Sequence, residues 1–139
     1  MGNSNSIQKI NFEDIQTSIK DKNAILISTL NSKSQNCLIK GTILFNNEEK
    51  IINANLNNFN IKIIIYDKNC NEQKPYDKYK QLLTLGFRNI YIYSGGLFEW
   101  LLLQDIYGYD NFPTTNKEID ILQFKSTSRF NTPLLTNID

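Results

Sequence analysis

The strongest pattern along this chain is a series of short apolar runs separated by longer polar stretches with apolar residues at helical spacing. Residues 61–66 (IKIIIY), 24–30 (AILISTL) and 89–93 (NIYIY) are rich in β-branched and aromatic side chains, which predicts strands. Near-continuous apolar runs suit parallel strands covered on both faces, whereas a half-exposed strand would alternate. A minimal run at 42–44, after Gly41, predicts one more strand.

Between these runs the period changes. Asn11 can cap a helix that carries Phe12, Ile15 and Ile19 on one face, with Asp14 three residues on and acids in the first turn. Residues 31–36 are a polar loop. Residues 48–56 predict a short helix with Ile51, Ile52 and Leu56 inward. After a polar loop at 67–74, Pro75 suits the first turn of a helix running to about residue 85. Its inward face would be Tyr79, Leu82 and Leu83, with Gly86 at the left-handed C-terminal position and Phe87 as the hydrophobic contact beyond. Gly95-Gly96 leads into a helix at 97–106. The FPTT segment at 112–115 breaks the pattern, 116–124 predicts a last helix, and 125–139 reads as a tail that Phe130, Leu134 and Leu135 would dock.

Strands alternating with helices imply an α/β fold: a small three-layer domain with a mainly parallel central sheet of about five strands and helices on both faces. Residues 7–115 would form it, 1–6 a flexible leader within a polar lead-in reaching Ile10, and 116–139 the C-terminal helix and tail. A chain of 139 residues with 40% hydrophobic content suits one packed domain.

Charge and composition narrow the function. A net charge of +1, scattered lysines and only two arginines, Arg88 and Arg129, argue against a nucleic-acid partner. With no histidine, a Ser-His-Asp or Cys-His site cannot be built. Two cysteines, Cys37 and Cys70, are too few for a structural zinc site or a disulfide framework, so neither cofactor nor metal is expected and the chain reads as cytoplasmic. No apolar run reaches the roughly 20 residues that span a bilayer. The first residues, MGNSNS, match the N-myristoylation pattern at Gly2. A chance polar leader accounts for them equally well; an acylated Gly2 would give reversible membrane contact.

Three pieces, in order and spacing, resemble the rhodanese-like family. Residues 25–30 resemble the strand that ordinarily reads like LIDVR, with Ser28 where the family often has Asp. Ile39, Gly41 and Ile43 resemble its next short element. Gly86-Phe87, the strand at 89–93, then Gly95, Gly96 and Trp100 resemble its last and most specific signature. Residues 7–108 carry the likeness. Each piece also has a plain structural reading: Gly41 as a turn glycine, Leu97, Trp100 and Leu101 as core, and Gly95-Gly96 as a close strand–helix approach.

The resemblance implies where chemistry would sit. In active members a Cys directly follows the central strand, in a loop whose backbone N–H groups hold an anionic sulfur donor or a persulfide. This chain has Asp67 there. The loop runs Asp67, Lys68, Asn69, Cys70, Asn71, Glu72, Gln73, Lys74, with no Arg and no Gly. Its length is nearer to that of the phosphatase version of the fold, whose flanking Cys and Arg are absent. Asp67 also suits a simple turn. Two expectations follow from the resemblance: a catalytically silent module that binds a protein partner, or a sulfurtransferase or persulfide carrier using Cys70, displaced along the loop between Lys68 and Lys74. Cys37 reads as a small hydrophobe at a loop edge.

Overall fold

The computed structural model describes residues 6–130; Gly2, Leu134 and Leu135 lie outside them. Four parallel strands form one sheet in the order β1-β4-β3-β2: β1 (Lys9–Ile10), β2 (Ala24–Ser28), β3 (Lys62–Tyr66) and β4 (Ile90–Tyr93). Helices α1 (Phe12–Ile19), α2 (Glu48–Ala54), α3 (Lys74–Thr84) and α4 (Gly96–Tyr107) connect or follow them. This is the three-layer α/β domain with a parallel sheet that the alternation predicts.

Strand pleating sorts the core into two halves. Ile63 and Ile65 of β3 join Ile25, Ile27, Ile90 and Ile92 on the face covered by Ile52 of α2 and Tyr79 and Leu82 of α3. Ile64 and Tyr66 join Leu26 and Tyr93 on the opposite face, covered by Ile15 of α1 and Leu97, Trp100 and Leu101 of α4. Trp100 is fully buried; its indole N–H donates to the Pro113 carbonyl at 3.1 Å, and its ring meets Phe112 edge-on. Adjacent residues of one strand thus serve separate helix layers, as the apolar runs require.

The local signals hold at the helix ends. Asn11 and Asp14 form the capping box of α1. Gly86 has φ +103° and lets the Phe87 N–H return to the Leu82 carbonyl at 3.2 Å, with the Phe87 ring buried.

Elsewhere the structure corrects the reading. Residues 42–44 make one parallel bridge, Leu26 to Thr42, instead of a strand. After the Ile43 N–H bonds the Leu26 carbonyl, Leu44 turns outward and caps a 3₁₀ turn at Phe45–Asn47. The lead-in is not free up to Ile10. Residues 9 and 10 pair with β4, and Gln8 contributes its carbonyl to the Ile92 N–H and its amide to the Ile90 carbonyl. Leu56 and Leu83, expected inward, are 41% and 42% exposed, because α2 ends at Ala54 and because Tyr79 and Leu82 already define the buried face of α3.

The expected helix at 116–124 is reduced to a 3₁₀ turn at Ile121–Phe124. The preceding backbone is committed to tertiary bonds: Lys40 N–H to Pro113 carbonyl, Thr115 N–H to Leu38 carbonyl, and an antiparallel bridge from Ile39 to Thr114. Phe124 is buried, but Phe130 is 82% exposed and docks nothing. Among the described residues no helix is long and apolar enough to cross a membrane.

Candidate functional site

The strand-end loop sits where β3 leaves the sheet at its carboxyl edge, the edge at which open α/β sheets place ligand sites. Its first residue, Asp67, is 4% exposed. Both carboxylate oxygens are occupied: one accepts the Thr29 hydroxyl at 2.5 Å, the other the Lys68 N–H at 2.7 Å. The Thr29 N–H also donates to the Tyr66 carbonyl at 2.9 Å. Asp67 therefore ties the end of β3 to the end of β2 and consumes a backbone donor of its own loop.

Asn69, also buried, does the same further along. Its amide oxygen accepts the Asn71 N–H at 2.9 Å, and its amide nitrogen donates to the Phe124 carbonyl at 2.9 Å. Two loop N–H groups, those of Lys68 and Asn71, are thus satisfied by loop side chains. Of the loop's two lysines, Lys68 alone has an ion-pair partner among the described residues. Lys68 lies 3.9 Å from Glu72, and Lys74 donates to the Asn31 amide oxygen.

Behind the loop, α4 fixes its backbone. The Leu97 N–H donates to the Asp67 carbonyl at 2.9 Å and the Phe98 N–H to the Lys68 carbonyl at 2.8 Å. This contact needs Gly96. Its φ is +68°, and a Cβ there would come within 2.6 Å of the Asp67 carbonyl oxygen and 2.9 Å of the Lys68 carbonyl carbon. Of the glycine pair, Gly96 makes the close approach, and what it approaches is the candidate loop; a Cβ at Gly95 would meet the Glu99 side chain instead.

The two thiols differ. Cys70 is exposed, with Sγ 3.6 Å from the Asn71 side-chain oxygen. Cys37 is buried in the core, its thiol donating to the Asn116 carbonyl at 3.2 Å; burial pushes its pKa up. Around the loop two tyrosines hold the frame. The Tyr66 hydroxyl accepts the Ile39 N–H at 3.0 Å and lies 2.7 Å from the Thr42 hydroxyl, anchoring the segment that bridges β2. The Tyr93 hydroxyl donates to Glu99 at 2.6 Å. Burial raises the pKa of both phenols, and Glu99 raises that of Tyr93 further. Among the described residues no group of three or more Asp, Glu or Cys side chains is placed to hold a metal ion.

Sequence reasoning placed Asp67, Asn69 and Cys70 in the loop, gave Asn69 no role of its own and missed Thr29. Asn69 had a signal in its spacing to Asn71, since Asn readily accepts from the N–H two residues on; Thr29 had none.

No protein-family model and no curated protein matches the sequence. Solved structures do resemble the fold. One is an EanB variant in complex with ergothioneine covalently linked with a persulfide cysteine. It superposes with a TM-score of 0.54 at 11% identity, over 68% of this chain and 26% of EanB. Another is the Alr3790 protein from Anabaena sp., with a TM-score of 0.53 at 14% identity, over 82% of this chain and 97% of that one. At these identities the likeness is one of fold: a small α/β domain with a parallel sheet.

Proposed function

We propose that this chain is a rhodanese-like domain that has lost sulfur transfer and serves as a binding or regulatory module for a protein partner, in the cytoplasm and without nucleic acid. One observation carries the reading: the strand-end position that the family gives to its nucleophile is filled by a buried aspartate whose two oxygens are already bonded to Thr29 and Lys68. A carboxylate cannot carry a sulfane sulfur. Its negative charge also opposes an anionic donor at the mouth of the loop, and the adjacent cation, Lys68, lies 3.9 Å from Glu72. The neighbouring EanB structure, with its persulfide cysteine, gives the contrast: in that protein a cysteine carries the sulfur.

The second reading, a sulfurtransferase or persulfide carrier acting through Cys70, has the exposure of that thiol in its favour. The two separate in one experiment. The purified protein is incubated with thiosulfate and cyanide, thiocyanate is measured, and the protein is examined for persulfide by mass spectrometry. The silent module gives no thiocyanate above an unrelated thiol protein and no persulfide. Turnover by the wild type that Cys70→Ser abolishes would defeat this reading and make Cys70 the nucleophile. Acylation of Gly2 would add reversible membrane contact to the module; a mass spectrum of the native N-terminus tests it directly, an unmodified Gly2 removing the idea.

A further inference from the structure

Beside the loop, at the carboxyl end of β2, lies a cleft of about 500 Å³ between residues 28–32, the turn at Phe45 and one wall of α3. Neither Asp67 nor Cys70 lines it. The volume lies within the range of small-molecule sites, roughly 300–1,000 Å³.

The lining carries four charges: Glu48, Lys74, Asp77 and Lys78. They sum to zero, so the cleft offers no net field to a simple anion or cation. They are not equivalent, however. Lys78 and Glu48 neutralise each other at 2.5 Å and are largely covered. Lys74 and Asp77 are exposed and have no ion-pair partner among the described residues: the Lys74 ammonium donates to the neutral Asn31 amide, and Asp77 meets only the Gln73 amide at 3.4 Å. Three residues apart on α3, the two share a helix face, yet they do not pair with each other. One wall therefore presents an unneutralised cation and an unneutralised anion a turn apart. Phe45, 57% exposed, adds an aromatic surface to the same cleft.

From this arrangement we propose that the cleft binds a small zwitterion, an α-amino acid with an apolar side chain. Its carboxylate would lie on Lys74, its ammonium on Asp77 and its side chain against Phe45. An anion lacking the ammonium would gain Lys74 but face Asp77 uncompensated; a cation lacking the carboxylate would have the reverse fault.

The test is a titration of the isotope-labelled full chain, followed by amide NMR shifts, with three probes: L-phenylalanine, 3-phenylpropanoate and L-phenylalaninamide. L-Phenylalanine should give saturable shifts in residues 28–32 and 74–81 in the millimolar range. Each single-charge analogue should bind at least about tenfold more weakly, the loss of one charge-assisted contact. Lys74→Met and Asp77→Asn, both at exposed positions, should each weaken L-phenylalanine by a similar factor, whereas Lys80→Met, outside the cleft, should not. Absence of saturable shifts with L-phenylalanine overturns the proposal, as does equal binding of either analogue. Because the comparison of probes uses the wild type, the outcome does not depend on the variants folding, and it is independent of whether Cys70 carries sulfur.

Discussion

Replacing Gly96 by Ala tests how the loop is held. Two costs add. At φ +68° an L side chain adopts a left-handed backbone, which costs about 1–2 kcal/mol. The new Cβ also lies 2.6 Å from the Asp67 carbonyl oxygen, and ordinary contact begins near 3.4 Å, so the loop must retreat by the difference, 0.8 Å. Every atom met is backbone, and no flexible side chain can swing aside. That retreat stretches the Leu97 N–H bond to Asp67 from 2.9 Å and the Phe98 N–H bond to Lys68 from 2.8 Å beyond hydrogen-bonding range. At about 0.5–1.5 kcal/mol for each bond, the total loss is about 2–5 kcal/mol.

Gly86→Ala is the internal control. Gly86 also has positive φ, +103°, but a Cβ there meets nothing within 4 Å, so it should lose only the conformational share of about 1–2 kcal/mol. Urea denaturation of both variants gives the comparison through the midpoint at constant slope. Hydrogen exchange at Leu97 and Phe98 should accelerate in the Gly96 variant alone. Equal destabilisation of the two, with unchanged exchange at Leu97 and Phe98, would refute the claim that Gly96 is required by the approach of α4 to the loop.

Three further outcomes follow. Thr29→Val, nearly isosteric, leaves the buried Asp67 carboxylate one donor short and should cost about 1.5–3 kcal/mol in urea denaturation; a loss under half a kilocalorie would show that the bond contributes little. A thiol reagent should modify exposed Cys70 at once and buried Cys37 only as the protein unfolds, with Cys70→Ser leaving the urea midpoint unchanged; prompt modification of both in the native state would contradict the burial of Cys37. Burial lets Tyr66 and Tyr93 keep their protons in the folded state above the ordinary phenol value of about 10, so the unfolded chain loses protons first and stability, intact below about pH 10, should fall as pH rises past it. Tyr66→Phe should make that alkaline decline shallower, and a decline of unchanged slope would count against the buried phenol.

The fold was legible where one residue type did one job over several positions. The runs at 61–66 and 89–93 bury alternate residues against different helix layers, and that demand is written in their composition. The errors fall where backbone bonding decided the outcome. Strand β1 is two residues long, and its place depends on Gln8 bonding both Ile92 and Ile90, for which a polar lead-in carries no periodic signal. The segment at 116–124 has the composition of a short helix. However, Pro113 and Thr115 spend their backbone groups on Lys40 and Leu38, and the Asn116 amide bonds the Asn36 carbonyl at 2.6 Å, so the chain is drawn out before a helix can start.

The candidate site divides in the same way. Its position was readable, because a turn residue after the most apolar strand has one place to be. What Asp67 does there was not, because the sequence shows a charge but not its partners. An exposed aspartate at the strand end would have water on its oxygens. This one is buried, with Thr29 and the Lys68 N–H on its two oxygens, and Asn69 repeats the arrangement toward Asn71 and Phe124. A buried carboxylate left unpartnered would be costly, so these bonds stabilise the loop in one closed form. The loop's buried side chains are therefore the ones that hold its shape. That is why introducing a cysteine at position 67 would remove the bonds that set the geometry along with the charge, and would not by itself create a sulfur-binding loop.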